Sequence, residues 1–177
     1  MKKSINWKKY HKFREKKEWC GPAVIQMVLK ASGIRRTQKE IAKDVYKPWW
    51  GTNQQTMLAY LSRFFKLVNF KQNATISDIT FHLKKGHIVV VNWWDNFPPG
   101  EPEGHYTIVS SYDNRKKEIT MVDPAILGPL LEKKGIYAMK VKEFNKRWYD
   151  YLDIHGSTWI EGWMLWVNPQ SKLKKAK

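Results

Sequence analysis

Cysteine is nearly absent from this sequence, because Cys20 is the only one among 177 residues. A single cysteine excludes an intramolecular disulfide, so a reducing, cytoplasmic location is expected. No apolar run is long enough to span a bilayer, and no apolar core of a signal peptide follows the basic N-terminus. Metal-ligand spacing and a glycine-rich phosphate loop are also missing. The sequence therefore predicts neither a metal nor another cofactor.

Acidic residues are scarce as well, with 16 Asp and Glu against 32 Lys and Arg and a formal charge of +16. Residues 1–17 carry +7 and residues 170–177 carry +4, which leaves +5 for the segment between them. The 42% hydrophobic content and the ten tryptophans exclude a disordered chain. The length indicates one domain. We therefore divide the chain into a basic N-terminal segment (1–17), a single globular domain that would carry any catalytic site (18–169) and a basic C-terminal tail (170–177).

The basic ends suggest a weak contact with an anionic polymer such as nucleic acid. Trp7, Tyr10 and Phe13 alternate with the N-terminal lysines and can stack on bases. A solvated, solubilising tail explains the same composition without any partner, and we favour that interpretation.

Hydrophobic periodicity and capping signals predict helices early in the chain and strands later. The predicted helices cover about residues 20–32, 37–45, 52–65, 77–85 and 142–152. The predicted strands cover about residues 87–93, 105–112, 118–122, 135–141 and 163–167, with a loop at 95–104. Helices that precede antiparallel strands indicate an α+β domain.

Cys20 lies where a catalytic nucleophile would be stabilised. It begins a predicted helix with Pro22 in the first turn, a position that tolerates proline. The peptide dipoles and free N–H groups at a helix start favour a thiolate and can also bind an oxyanion. Gly21 would let a substrate backbone approach closely. A small buried hydrophobe is the alternative for a lone cysteine, and the sequence context favours the functional interpretation.

A thiolate needs a base, and the base needs an orienting group. Among the five histidines, His105 opens a predicted strand and Asp123 closes the next one. A three-residue turn at 113–115 would place His105 opposite Asp123, within about one residue, where an imidazole and a carboxylate can hydrogen-bond. Asp95 is an alternative orienting residue. The other histidines are expected to be solvated, locally hydrogen-bonded or packed at a strand edge: His11, His82, His87 and His155.

Three motifs together resemble the double-glycine (bacteriocin leader-processing) peptidases, in their free-standing form. They are Cys20-Gly21-Pro22-Ala23, Gly104-His105-Tyr106 and Asp123-Pro124, in this order. The resemblance implies a papain-like cysteine protease fold, with N-terminal helices packed on an antiparallel β-sheet and the active site in the cleft between them. It also implies that Cys20 is the nucleophile, that His105 is the general acid and base, and that Asp123 orients His105.

One feature of that family is missing. A Gln about six residues before the Cys usually helps to form the oxyanion hole, and Arg14 occupies this position here. Loss of one oxyanion donor lowers the rate by about 100- to 1000-fold in enzymes where it has been tested. The candidate oxyanion or substrate-cleft residues are Arg14, Trp19, Gly21, Trp50 and Trp94. The tryptophan pairs at 49–50 and 93–94 are also explained by core packing.

The sequence therefore predicts a cysteine peptidase that cleaves peptide or isopeptide bonds through a Cys-His-Asp triad and a thioester intermediate. Its expected partner is a peptide or protein substrate. Two alternatives remain open at this stage. A catalytically impaired peptide-binding domain would explain the missing Gln, and an amine acceptor in place of water would make the same site a thiol acyltransferase.

Overall fold

A computed structural model describes residues 5–95, 103–125, 135–152 and 157–174. Its helices are α1 (Trp7–Tyr10), α2 (Cys20–Ala31), α3 (Gln38–Val45), α4 (Gln54–Ser62), α5 (Ile76–Lys84) and α6 (Val141–Asn145). Its strands are β1 (Tyr46–Lys47), β2 (Gly51–Thr52), β3 (Val68–Lys71), β4 (Ile88–Asp95), β5 (Glu103–Asp113), β6 (Glu118–Val122), β7 (Ile136–Lys140), β8 (Tyr149–Tyr151), β9 (Trp159–Glu161) and β10 (Met164–Val167).

The main sheet has six antiparallel strands in the order β3-β10-β4-β5-β6-β7, and two-stranded ribbons pair β1 with β2 and β8 with β9. Both faces of the sheet are covered. Val90 and Ile108 belong to the core shared with α2, whereas Val89 and Val109 belong to a second core. Because neighbouring residues on a strand point to opposite faces, β4 needs an unbroken apolar sequence to serve both cores.

Local capping signals start the helices that the sequence predicts. Thr37 and Glu40 form a reciprocal capping box at the start of α3. The Asn53 side chain accepts a hydrogen bond from the Thr56 N–H and caps α4. The predicted helices near 20–32 and 37–45 are confirmed to within one residue at each end.

Two predictions about local structure are wrong. The predicted helix 142–152 ends at Asn145, and Tyr149–Tyr151 instead forms β8, because these residues pair with β9, which follows in the next stretch of the chain. The predicted loop 95–104 is shorter, because β4 includes Asp95 and β5 begins at Glu103. The remainder of that loop, 96–102, lies outside the described residues.

The basic N-terminal segment packs against the rest of the protein. Trp7 is buried in the core shared with α2, and the Arg14 N–H donates to the Pro124 carbonyl at 2.8 Å. His11 Nε2 donates to the Asp123 carbonyl at 2.7 Å, so the expectation that His11 is solvated or only locally bonded is wrong. The division of the chain at residues 17 and 169 remains a prediction. In the described ranges, none of the helices is both long and apolar enough to cross a membrane.

A close contact holds the start of α2 against β2. A Cβ atom added to Gly21 would lie 2.5 Å from both Cβ and Oγ1 of Thr52. Close packing against Thr52 thus explains why glycine is required at position 21, and the sequence alone does not show this contact.

We therefore expect Gly21→Ala to lower the free energy of unfolding by about 1–3 kcal/mol through overpacking. This loss outweighs the roughly 1 kcal/mol that alanine normally adds to a helix. Urea unfolding measures the change. The double variant Gly21→Ala, Thr52→Gly removes the clashing atoms and should be more stable than Gly21→Ala alone. Wild-type stability of Gly21→Ala would contradict the contact.

Candidate active site

Cys20 is the first residue of α2 and is buried, with 9% of its surface exposed. The preceding residue, Trp19, makes no side-chain hydrogen bond that caps the helix. The first-turn N–H groups of a helix have no acceptor within the helix, so the N–H groups of Cys20 and Gly21 are placed as donors near the sulfur. A negative charge on Cys20 therefore lies at the favourable end of the α2 dipole.

His105 lies on β5, and its Nε2 donates to Asp123 Oδ1 at 2.8 Å. The predicted register is wrong, because four residues rather than three join β5 and β6 and a bulge follows at Val109–Ser111. Ile108 pairs with Val122, so the same register continued by one step places Thr107 opposite Asp123. His105 lies two residues from Thr107, on the same face of the strand, and its ring reaches Asp123 diagonally.

Asp123 is held from several directions. Its Oδ1 accepts the Ala125 N–H at 2.8 Å, and its Oδ2 accepts the Tyr137 hydroxyl at 2.9 Å. The Asp123 N–H donates to the Gly135 carbonyl at 2.7 Å. Together with the His11 bond to its carbonyl, these contacts fix the carboxylate that orients His105. Asp95, the alternative orienting residue, lies opposite Glu103 in the backbone register of β4 and β5, and the carboxylate that hydrogen-bonds His105 is that of Asp123.

The electrostatics of the site favour the ionised form of the buried His105–Asp123 pair. Complete burial alone would lower the pKa of His105, but the Asp123 charge, its hydrogen bond and Cys20 raise that pKa well above 6.5. Burial would raise the pKa of Asp123, yet His105, the Ala125 N–H and the Tyr137 hydroxyl hold it below 3.8. The stabilisation is therefore lost when the pH falls through the lowered pKa of Asp123 or rises through the raised pKa of His105. Neutral pH lies between these limits.

The second ring nitrogen of His105 is the one available to Cys20. His105 Nδ1 is buried, and no described residue makes a well-aligned hydrogen bond with it. The Cys20 side chain nevertheless lies close enough for a weak hydrogen bond and for its charge to contribute to the raised pKa of His105. The imidazole thus lies between the thiol and the carboxylate, with Nε2 committed to Asp123.

A cavity of about 270 Å³ opens beside Cys20. Its lining residues include Thr52, Gln54 and Asp150, which are all buried. Gln54 Nε2 donates to Asn92 Oδ1 at 2.8 Å, and Asn92 Nδ2 donates to the His105 carbonyl at 3.3 Å. Asn92 also hydrogen-bonds Asp150. A buried polar network therefore connects the cavity to the strand that holds His105.

Asp150 is the most perturbed acid in this cavity. Burial raises the pKa of Asp150 to about 6, although the Tyr151 N–H, the Asn92 amide and the charge of His105 all favour its ionised form. Its Oδ1 accepts the Tyr151 N–H at 2.8 Å. A Cβ on Gly104 would lie 2.3 Å from Asp150 Oδ2, so only glycine allows this approach.

The predicted cleft residues have different environments. Trp50 lines the cavity. Arg14 is buried and donates to Glu103, a lining residue, at 2.9 Å. Trp19 packs edge-on against Tyr46. Gly21 packs against Thr52, and Trp94 stacks on Tyr149.

Sequence reasoning missed several residues that contact the site. They are His11, Thr52, Gln54, Asn92, Tyr137 and Asp150. Each of them reaches the site through a contact between distant parts of the chain, which no local pattern reports. Only Asn92 offered a local signal, because a polar side chain interrupts the apolar sequence of β4.

Solved structures define the class of this fold. The chain is similar to the peptidase domain of Streptococcus ComA, a bi-functional ABC transporter involved in quorum sensing, with a TM-score of 0.60, 15% identity and coverage of 88% of this chain and 96% of that chain. A Bacillus anthracis protein named as a C39-like peptidase matches with a TM-score of 0.62, 13% identity and 100% coverage of both chains. The fold is that of a C39, papain-like cysteine peptidase.

A third solved structure is a double glycine motif protease from an AMS/PCAT transporter in complex with the leader peptide. It matches with a TM-score of 0.56, 16% identity and coverage of 89% of both chains. The sequence itself matches the Peptidase_C39 like family over residues 3–153, and the chain belongs to this family.

Two sequence relatives come from Methanothermobacter species. An uncharacterized protein of Methanothermobacter thermautotrophicus is 31% identical over 120 residues, which are 67% of this chain and 73% of that protein. An uncharacterized protein of Methanothermobacter marburgensis is 30% identical over 120 residues, which are again 67% of this chain and 73% of that protein.

The burial of the Asp150 carboxylate allows a prediction about how the free energy of unfolding depends on pH. Because burial raises its pKa from 3.8 to about 6, ionisation of Asp150 destabilises the folded protein. We expect Asp150→Asn to raise the free energy of unfolding by about 1–3 kcal/mol above pH 6, since asparagine keeps an acceptor oxygen without the charge. The gain should shrink as the pH falls from about 6 towards 3.8, because Asp150 then becomes neutral in the folded protein, and it should vanish below 3.8, where the carboxyl is neutral in the unfolded chain as well.

Urea unfolding between pH 4 and pH 8 measures this gain. Asp44→Asn is the control, because Asp44 is exposed and its surface ion pair with Arg63 is worth less than about 1 kcal/mol, so this variant should not gain stability above pH 6. A gain that does not depend on pH would contradict the assignment of a destabilising charge to Asp150.

Proposed function

We propose that this protein is a cysteine peptidase that uses Cys20 as nucleophile, His105 as general acid and base, and Asp123 as the residue that orients His105. One observation supports this most strongly. The ionised His105–Asp123 pair leaves His105 Nδ1 without another well-aligned hydrogen bond, next to the only cysteine, at the start of a helix and beside a cavity.

The proposed reaction proceeds through a thioester. The Cys20 thiolate forms a C–S bond with the substrate carbonyl carbon, and the carbonyl electrons move to oxygen. As the C–N bond breaks, His105 Nδ1–H protonates the leaving amine. Water then attacks the thioester, gives its proton to His105 and breaks the C–S bond. The second product is a carboxylic acid, and Cys20 is restored.

The backbone at the start of α2 provides donors for the oxyanion. The N–H of Cys20 is the first of them, as its position in the helix requires. Arg14 stands where the family usually has Gln, but its guanidinium is engaged with Glu103. We therefore assign the oxyanion to the backbone and expect a modest turnover rate, with Arg14 acting as the charge partner of Glu103.

The substrate class is a peptide or an isopeptide. The double glycine motif protease that this fold matches was solved with its leader peptide, and we extend peptide binding to this chain on that similarity. The cavity beside Cys20 supplies the space for it. Weak contact between the basic termini and anionic polymers remains a separate prediction.

The activated thiol is tested by alkylation, which needs no knowledge of the substrate. Cys20 is the only cysteine, so iodoacetamide labelling reports on this residue alone. We expect labelling at pH 7 to be faster than that of a model thiol and to slow in Asp123→Asn, which lowers the pKa of His105. Asp113→Asn, at an exposed turn, is the matched control. A wild-type rate equal to that of the model thiol would refute the proposal.

Catalysis itself is tested by turnover of a peptide library. Cys20→Ala should abolish cleavage, and His105→Gln should lower kcat by at least about 100-fold, the usual contribution of a general acid and base. Product masses separate hydrolysis from amine transfer. Tight peptide binding without any turnover by wild type would instead identify an impaired, peptide-binding domain.

A further inference from the structure

The cavity beside Cys20 is acidic, although the chain is strongly basic. Three carboxylates line it, from Glu18, Glu103 and Asp150. None of its described lining residues is Lys or Arg, whereas the whole chain has twice as many basic as acidic residues. A set of surface residues chosen at random from this chain would carry a net positive charge. The negative charge of the cavity therefore calls for an explanation.

Only one of these carboxylates has a basic partner among the described residues. Glu103 is neutralised by Arg14 at 2.9 Å. Glu18 accepts a hydrogen bond from the Tyr46 hydroxyl, a neutral donor. Asp150 accepts neutral donors from the Tyr151 backbone and from Asn92, and no described Lys or Arg forms an ion pair with it. Within the described ranges, Glu18 and Asp150 therefore face the cavity without a Lys or Arg partner, and the positive charge that acts on Asp150 is that of His105, which is already paired with Asp123.

A buried hydroxyl in the same cavity also lacks a partner. Thr52 is only 9% exposed, and its Oγ1 is buried without a hydrogen bond in the described part of the chain. Thr52 lines the cavity and packs against Gly21, one residue from Cys20. A buried polar group without a partner costs free energy, so this hydroxyl, at the wall between the cavity and Gly21, is available to a polar ligand group in the cavity.

Aromatic side chains form the remaining walls. Trp50 packs edge-on against Tyr151 at 5.9 Å between ring centroids, and both line the cavity. Trp49, 72% exposed, lines it as well. Aromatic faces attract cations, and they also pack against the methylene stems of long basic side chains.

We propose that this cavity is a subsite for a Lys or Arg side chain of the peptide substrate, with Asp150 and Glu18 as its charge partners and Thr52 as an additional polar contact. The assignment rests on the proposed function, because it names the substrate of that site. The volume of about 270 Å³ suits a single long side chain, since sites for drug-sized ligands occupy about 300–1,000 Å³.

Charged thiol reagents test the subsite directly at Cys20. The probes are methanethiosulfonates with a 2-aminoethyl group (cationic), a 2-sulfonatoethyl group (anionic) and a methyl group (neutral). We expect the cationic-to-anionic rate ratio to exceed that of a neutral model thiol by about tenfold or more, because the carboxylates concentrate the cation near the sulfur. The net charge of +16 acts in the opposite direction, so nonspecific attraction cannot produce this result.

Three variants identify the groups responsible. Asp150→Asn and Glu18→Gln should each lower the ratio severalfold. Glu143→Gln, on α6 and outside the cavity, should leave it unchanged. In wild type, a ratio equal to that of the model thiol would overturn the subsite, as would a raised ratio that neither cavity variant lowers.

The reagents also separate this inference from the proposed function. The neutral reagent reports activation of Cys20, and the ratio reports the charge of the cavity at the same sulfur. A fast neutral reaction with an ordinary ratio would refute the subsite alone. A slow neutral reaction with a raised ratio would refute the activated nucleophile and leave a cation-binding cavity.

Discussion

The buried ion pair between His105 and Asp123 is the interaction on which the site depends. An ion pair inside a protein is stable only when its remaining lone pairs and protons are satisfied, because both charges leave water. Asp123 meets this condition through Ala125, Tyr137 and His105 itself. These donors come from the segment after β6, from β7 and from β5. The three strands must therefore pair correctly before the His105–Asp123 ion pair can form.

The N-terminal segment contributes to the same arrangement. His11 bonds the Asp123 carbonyl, and the Arg14 N–H bonds the neighbouring Pro124 carbonyl. Part of the excess positive charge of the N-terminus thus lies beside the candidate active site. Arg14 uses its charge to neutralise Glu103. The cavity keeps Asp150 buried at a cost in stability, and buried acids with raised pKa values cluster at functional sites.

Much of the helical part of the fold could be predicted from the sequence. Capping residues such as Thr37 and Asn53 act on N–H groups three residues away, so their signal is local. The His105–Asp123 contact was predicted from a wrong register. The contact forms nevertheless, because the predicted strand pairing was shifted by two residues near His105. Side chains alternate between faces with a period of two, so a shift of two leaves His105 on the same face as Asp123.

The residues around the cavity could not be predicted in this way. The sequence pattern predicts a helix at Asp150. In the structure Asp150 lies on β8, and the pairing of β8 with β9 places its side chain in the wall of the cavity. Asn92 and Gln54 meet across 38 positions of sequence. Such contacts depend on tertiary packing, which overrides local preference at these positions.

The charge state of His105 is the most direct measurement of the central claim. Nitrogen-15 NMR of labelled histidine resolves the protonation of each imidazole, and His105→Gln assigns the signal. If Asp123 and Cys20 hold His105 as an imidazolium, its signal stays protonated through neutral pH, with a pKa well above 6.5. Titration of His105 at or below 6.5 in the wild-type protein would contradict the ion pair and the activation of Cys20 that depends on it.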